Sequence, residues 1–356
     1  MGGIKILIYL IIFIIIFSIG LFYSKYWNNS RLYSKVYLIS SFIILFIISS
    51  IRAESVGTDT DNYLRGFKVI KNTSWNRMFE AERWEFGYIF LNKLSAYISN
   101  NDQIILFVTS FVFLFGIGYF IYKNSNNVVF SLYLFVSLFL YFFSFNGIRQ
   151  AIAMSIIASG FHLIRERKLK KYLVIVCIAS LFHITAILMI GIYFIYSIKL
   201  TKKNIIFILV TFVIFYSLLG SIINFVLTNI DSLNYLSNDV SFEGSGFLFP
   251  LITISVLLLL FIIRITEGNT KYLEYMTILV LLSFLISIIS MKVSLILRLN
   301  YYLLIYYIIA IPYALNLVRD RTLRFLLTYI TIVITLAYLV IRMIEGWHGI
   351  NPYLMF

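Results

Sequence analysis

The sequence predicts an all-α fold, a polytopic transmembrane helical bundle of about 10–12 membrane helices that includes one broken or re-entrant helix. Three observations predict it. Of 356 residues, 61% are hydrophobic and only 12% are charged, against roughly 45–50% and about 25% in soluble domains. The apolar residues gather in runs of about 20, the length that crosses roughly 30 Å of hydrocarbon at about 1.5 Å per residue. The bases cluster in short segments between those runs, as in Arg165-Glu-Arg-Lys-Leu-Lys-Lys171 and Arg319-Asp-Arg-Thr-Leu-Arg324, which is the habit of cytoplasmic loops.

Taken in order, the first run, Ile4–Tyr23, lacks a strongly basic leader and an A-x-A cleavage site, so it reads as a retained helix. Ser34–Ile51 follows, then a polar segment, then Gln103–Tyr122, Val128–Phe145 and Ile148–Ile164. Tyr172–Ile198 is too long for one untilted crossing and is expected to be a hairpin or broken helix around Leu181-Phe-His-Ile-Thr-Ala186. Irregular backbone at that depth needs protein or a watery cavity around it. Ile205–Leu227, Phe247–Ile265, Tyr272–Met291, Leu295–Leu317 and Leu323–Ile341 complete the spans. Phe86–Ser99 is apolar but short and interrupted by Asn92 and Lys93, so an interfacial or re-entrant helix is expected there.

With the two basic loops placed in the cytoplasm, alternation brings Lys123, the Lys25/Arg31/Lys35 loop and Arg264–Lys271 inside as well. The polar segment 52–102, a second loop at 224–246 and the C-terminal tail then face outward. This bias accounts for most of the net charge of +14 and removes the case for nucleic acid. The single cysteine, Cys177, excludes a disulfide framework and a cysteine-rich metal site. No internal repeat and no Gly/Ser linker divides the chain, so residues 1–356 read as one integral membrane domain.

The stretch Arg52 to Glu85 holds six of the fifteen acidic residues (Glu54, Asp59, Asp61, Glu80, Glu82, Glu85) among six bases. In Gly57-Thr-Asp-Thr-Asp-Asn-Tyr63, Thr58-x-x-Asp61 matches a capping box for a helix whose apolar stripe is Tyr63, Leu64, Phe67 and Ile70. A divalent-metal reading of Asp59 and Asp61 is weaker, whereas a carboxylate that orients or deprotonates a sugar hydroxyl is compatible with the cap. Glu85 stands where the dielectric falls, directly before an apolar segment. Arg149 and Gln150 open a helix rich in small residues (Ala151, Ala153, Ser155, Ala158, Ser159, Gly160), spaced for close packing. His183 lies deep in an apolar run, where it either hydrogen-bonds within a broken helix or faces a cavity. Arg298, with Asn300, Tyr301 and Tyr302 beside it, is expected on the same outer side as Arg149. Guanidinium forks bind phosphate oxygens bidentately and stay charged, so arginines and carboxylates in one outward cavity suit transfer from a lipid pyrophosphate. No G-x-x-x-x-G-K-[ST], G-x-S-x-G, H-E-x-x-H or G-x-G-x-x-G occurs, which disfavours ATP-driven transport, serine hydrolysis and zinc proteolysis.

Taken in order, Arg52 with Gly57-Thr-Asp-Thr-Asp-Asn-Tyr63, Glu85-x-Gly-Tyr88, Ile148-Arg-Gln-Ala-Ile-Ala153, Leu181-Phe-His-Ile-Thr-Ala186 and Arg298 with Tyr301 resemble the EpsG family of Wzy-type polysaccharide polymerases. Where that family's pattern often has lysine and serine after the histidine, this chain has Ile184 and Thr185. The resemblance implies a GT-C-like, multi-pass glycosyltransferase that joins undecaprenyl-pyrophosphate-linked oligosaccharide repeat units at the outer face of the membrane. It further implies a plasma-membrane location with the site on the extracytoplasmic side, Asp59, Glu85 and His183 as catalytic candidates, and Arg52, Arg149, Gln150, Arg298, Tyr63 and Tyr301 as pyrophosphate and sugar contacts. No metal or other cofactor is expected, since pyrophosphate paired with guanidinium is already a good leaving group. Membrane lipids and other polysaccharide-assembly proteins are the further partners considered. A flippase for lipid-linked oligosaccharides is the main alternative, and a transferase resembling O-antigen ligases is mechanistically closer; a non-enzymatic membrane protein comes third.

Overall fold

The computed structural model describes residues 3–26, 31–229 and 246–356, so the loop expected at 224–246 lies largely outside the described residues. All its regular elements are helical, and the only bridge between extended segments among the described residues joins Arg52 to Met355. The chain forms two compact units, Met1–Tyr193 with Thr331–Phe356, and Phe194–Ile330.

The first unit begins with α1 (Gly3–Tyr26) and α2 (Arg31–Ser50), followed by α3 (Thr60–Asn72), α4 (Phe86–Ile98) and α5 (Ile104–Asn124). The apolar stripe expected on α3 is buried: Tyr63, Leu64, Phe67 and Ile70 face inward, against Tyr88, Ile105, Ile148 and Ile152 among others. At 13 residues α4 reaches about 20 Å, short of a hydrocarbon core of roughly 30 Å. Lys93, which interrupts its apolar sequence, has a structural task. Its buried Nζ donates to the carbonyls of Ile70, Lys71 and Thr73, where α3 ends, so a cation meets the negative end of that helix.

Next come α6 (Val128–Ser137) and α7 (Leu140–Phe143), one predicted span divided at Phe139, whose φ of 67° is left-handed. The predicted span 148–164 is likewise divided, into α8 (Ile148–Ser159) and α9 (Phe161–Arg165), with Gly160 between them. As expected of its small residues, α8 packs closely on α5: a Cβ on Gly116 would lie 2.8 Å from Ser155 Oγ. The long apolar run 172–198 is broken as predicted. α10 (Leu169–Ser180) stops before Leu181, the backbone is extended at His183, and a 3-10 helix (Ile184–Met189) leads into α11 (Ile190–Ile195). The Leu181 carbonyl freed by this break accepts a hydrogen bond from Gly87 N at 2.7 Å, so protein satisfies the polar backbone that a broken helix exposes.

The second unit holds α12 (Lys202–Asn229), α13 (Leu248–Glu267), α14 (Lys271–Ser290), α15 (Leu297–Leu304) and α16 (Tyr307–Leu317). The bent pair 294–317 turns by 49°. Polar side chains tie its apolar helices together: Asn300 Nδ2 donates to the Ser283 carbonyl at 3.0 Å, and Ser283 Oγ donates to Asn300 Oδ1 at 2.6 Å.

The last helix, α17 (Arg321–Ile344), leads back into the first unit. There the C-terminal tail lines the start of the polar segment: Ala53 N donates to Leu354 O at 2.8 Å, Gly57 N to Gly349 O at 3.0 Å, and Phe356 N to Ile51 O at 2.9 Å. Among the described residues six helices are long and apolar enough to cross a bilayer, or seven if the bent pair counts as one span. This is a polytopic helical membrane protein.

Candidate active site

Glu85 occupies the N-cap position of α4 with extended backbone, yet its side chain does not cap that helix. It reaches across to two other elements instead. Arg149 Nη1, at the first turn of α8, donates to Glu85 Oε2. His183 Nδ1 lies 2.9 Å from Glu85 Oε1, and Ile184 N donates to the same oxygen at 3.3 Å. Three segments up to 99 residues apart in sequence thus converge on one carboxylate. The Ile184 contribution comes from backbone, which explains how the side chain after the histidine can be apolar here.

Burial alone would raise the Glu85 carboxyl, but the His183 hydrogen bond and the Arg149 charge outweigh it and pull it down to about 2. Glu85 is therefore a carboxylate at neutral pH and can only accept hydrogen bonds. It follows that the imidazole donates through Nδ1, so that Nε2 is the ring nitrogen not engaged by Glu85. The three side chains remain 16–23% exposed, so a solute can reach them.

Aromatic rings form the wall beside this cluster. The Arg149 guanidinium lies 5.8 Å from the Trp84 ring centroid, and the Tyr63 hydroxyl is within hydrogen-bonding reach of it. Trp84 packs at 5.6 Å from Tyr63 and 5.2 Å from Tyr88, in space left open by the missing side chain of Gly66. Arg149 Nε is buried with no hydrogen-bond partner, while the side chain as a whole stays partly exposed. Phe86 and Ile184, next in sequence to Glu85 and His183, and Leu181, whose carbonyl accepts from Gly87 N, are exposed apolar side chains, so the cluster has a greasy rim.

Gly87 is what permits the approach of α4 to the broken helix. A Cβ there would lie 2.8 Å from Leu181 O and 2.9 Å from Leu181 Cβ. Gly87→Ala is expected to push the His183 segment off Glu85 and to cost about 1–3 kcal/mol, read as a lower midpoint in thermal unfolding of the detergent-solubilised protein. An unchanged midpoint would mean that the contact yields freely.

The remaining predicted residues are placed as follows. Arg52 is almost fully buried, with its guanidinium 4.6 Å from the Phe145 ring centroid and an Nη1 bond to the Ser49 carbonyl. Burial lowers it to about 10, so it stays charged, but inside the fold. Asp59 is the N-cap residue of α3, partly exposed, and neither it nor Thr58 builds the expected capping box: the α3 N-cap has no side-chain hydrogen bond. Asp61 instead pairs with Arg65 at 2.6 Å on the surface. Tyr63, one turn beyond Asp59, connects that helix start to Arg149. Gln150 is buried. Arg298 and Tyr301 belong to the second unit, where Arg298 is exposed on α15 and Tyr301 packs 5.8 Å from Phe249.

Sequence reasoning assigned no site role to Asn146 or His348. Asn146 Oδ1 accepts from Thr58 N at 2.8 Å, and its Nδ2 lies 2.9 Å from His348 Nδ1. These bonds hold the Gly57–Asp59 turn between the loop before α8 and the C-terminal tail. Gly57 has φ +97°, and a Cβ there would lie 2.8 Å from the Phe145 carbonyl, so this turn needs glycine. A partner 202 residues away leaves no local signal; only the glycine before the Thr-Asp-Thr-Asp run hints at a constrained turn.

No curated protein and no solved structure matches the chain significantly. A family-wide match does exist, to the EpsG family over residues 35–355, nearly the whole length and inclusive of Glu85, Arg149 and His183. On that match the chain belongs to the EpsG family, a family of Wzy-type polymerases.

Proposed function

We propose that the protein is a metal-independent membrane glycosyltransferase that polymerises undecaprenyl-pyrophosphate-linked oligosaccharide repeat units at the outer face of the plasma membrane. The single observation that carries the reading is the joining of Glu85, Arg149 and His183 within one partly exposed, apolar-rimmed cluster. In this scheme an acceptor hydroxyl attacks the anomeric carbon of the donor, and the bond from that carbon to the pyrophosphate oxygen breaks with its electron pair leaving on the phosphate. Arg149 binds the leaving pyrophosphate and stabilises its growing charge. His183 Nε2 takes the hydroxyl proton, while Glu85 fixes the tautomer and stabilises the imidazolium that forms. Asp59 orients the acceptor sugar beside Tyr63, and Arg52 and Gln150 support the wall from within. Arg298 and Tyr301, which belong to the second unit, are given no contact in this scheme. The exposed Phe86, Leu181 and Ile184 side chains suit contact with an isoprenoid chain arriving from the bilayer.

A carboxylate that orients a histidine favours transfer chemistry over transport, because a flippase needs cations along its path but no oriented base. The test is reconstitution of the purified protein with a synthetic lipid-pyrophosphate repeat unit. A ladder of products spaced by one repeat is expected. A single addition to a foreign acceptor would favour the ligase-like alternative, and translocation without new bonds would leave the flippase.

A further inference from the structure

A groove of about 690 Å³ runs between α2 and α5, open on one side, a size typical of small-molecule sites. Its walls are apolar along most of their length, with Phe42, Phe46, Phe107 and Phe111 among them. Its polar groups gather at one end. Lys35 and Tyr119 complete the lining there, and Lys123 Nζ lies 5.9 Å from the Tyr119 ring centroid. Gly118 keeps the floor open, since the nearest atom to a Cβ at that position would be on the Phe42 ring at 3.7 Å.

Chain direction and charge together decide what fits this groove. The segment 52–102 joins the end of α2 to the start of α5, so the Lys35 end lies on the far side from Glu85. Along the helix axis Lys35 and Arg52 are separated by roughly 25 Å, most of a hydrocarbon core. No carboxylate lines the groove, and Arg31, one turn before Lys35, adds a further exposed cation to that end. An apolar slot that closes on Lys35, Tyr119 and Tyr122, with Lys123 beside Tyr119, at interfacial depth matches a lipid with a negative headgroup. We propose that this groove binds one anionic phospholipid, drawn from the leaflet opposite the Glu85 cluster, with an acyl chain along Phe42 and Phe111 and its phosphate on Lys35. A lipid whose phosphate is engaged by Arg149 would present its headgroup at the other end, so the occupant is a second lipid and not the substrate.

The test is native mass spectrometry of the full-length protein in detergent, with phosphatidylglycerol and phosphatidylcholine supplied at equal mole fraction. One retained phosphatidylglycerol is expected, favoured about fivefold over phosphatidylcholine for each lysine engaged. Lys35→Gln, at an exposed position that the fold does not need, should erase that preference. Gly118→Leu should fill the floor and remove the adduct. Equal retention of the two lipids by the wild type, or an unchanged preference in both variants, overturns the proposal. So does displacement of phosphatidylglycerol by undecaprenyl phosphate from the Gly118-sensitive site, which would make the groove a substrate channel.

Discussion

Replacing Arg149 by alanine is expected to abolish product laddering, with turnover reduced by at least roughly 10²–10³, while membrane insertion and protein level stay normal. Two losses add. The pyrophosphate loses a guanidinium whose Nη1 is already positioned by Glu85. Glu85 also loses its cationic neighbour, so the carboxylate that orients His183 is less firmly held in its charged form. Arg149→Lys keeps the charge but not the planar fork, and is expected to recover only a small part of the activity. The decisive comparison is single-turnover rate against lipid binding: the substitution should depress the chemical step more than affinity for the resting substrate. A variant that still polymerises within tenfold of wild type would remove Arg149 from the reaction.

The second large effect is expected at the His183–Glu85 pair. Without its proton acceptor, His183→Ala should slow polymerisation by about 10²–10⁴. Glu85→Gln preserves an oxygen that can accept from the imidazole but removes the charge, so it should fall between His183→Ala and wild type. It also has a signature that plain loss of packing does not share. The Glu85 carboxyl sits at about 2 in the fold, below its ordinary value of 4.5. A depressed carboxyl contributes stability that is fully present above the unfolded value and is lost as pH falls through the folded value. The gap in thermal midpoint between wild type and Glu85→Gln should therefore hold from pH 7 to about 4.5 and close between about 4.5 and 2. Heating the solubilised proteins at stepped pH and measuring the monomer that survives reads this directly. A gap that stays constant down to pH 2 would mean that the charge of Glu85 is not what Arg149 and His183 respond to.

Much of this arrangement was legible from residue order. The amphipathic stripe on α3, the small residues of α8 and the excess length of the run 172–198 are local facts, and each produced the expected element. Lys93 was legible only as an interruption; its capping of α3 depends on how two helices meet. The capping box at Thr58 to Asp61 had the right letters, but Asn146 claims Thr58 N and Arg65 claims Asp61. A local motif lost to tertiary partners.

Composition and periodicity by themselves determined that this chain is a polytopic helical membrane protein, because bilayer thickness and the cost of unsatisfied backbone in hydrocarbon leave few other solutions. The family pattern also singled out Glu85, Arg149 and His183 as separate candidates. Only the tertiary structure decided that Glu85 stands between the other two, that Trp84 and Tyr63 wall the cluster, and that Arg52 is buried against Phe145. The physical reason is that hydropathy records depth along the membrane normal, whereas contact between α4, α8 and the break after α10 is lateral. That lateral contact depends on the absence of a Cβ at Gly87, which hydropathy does not register.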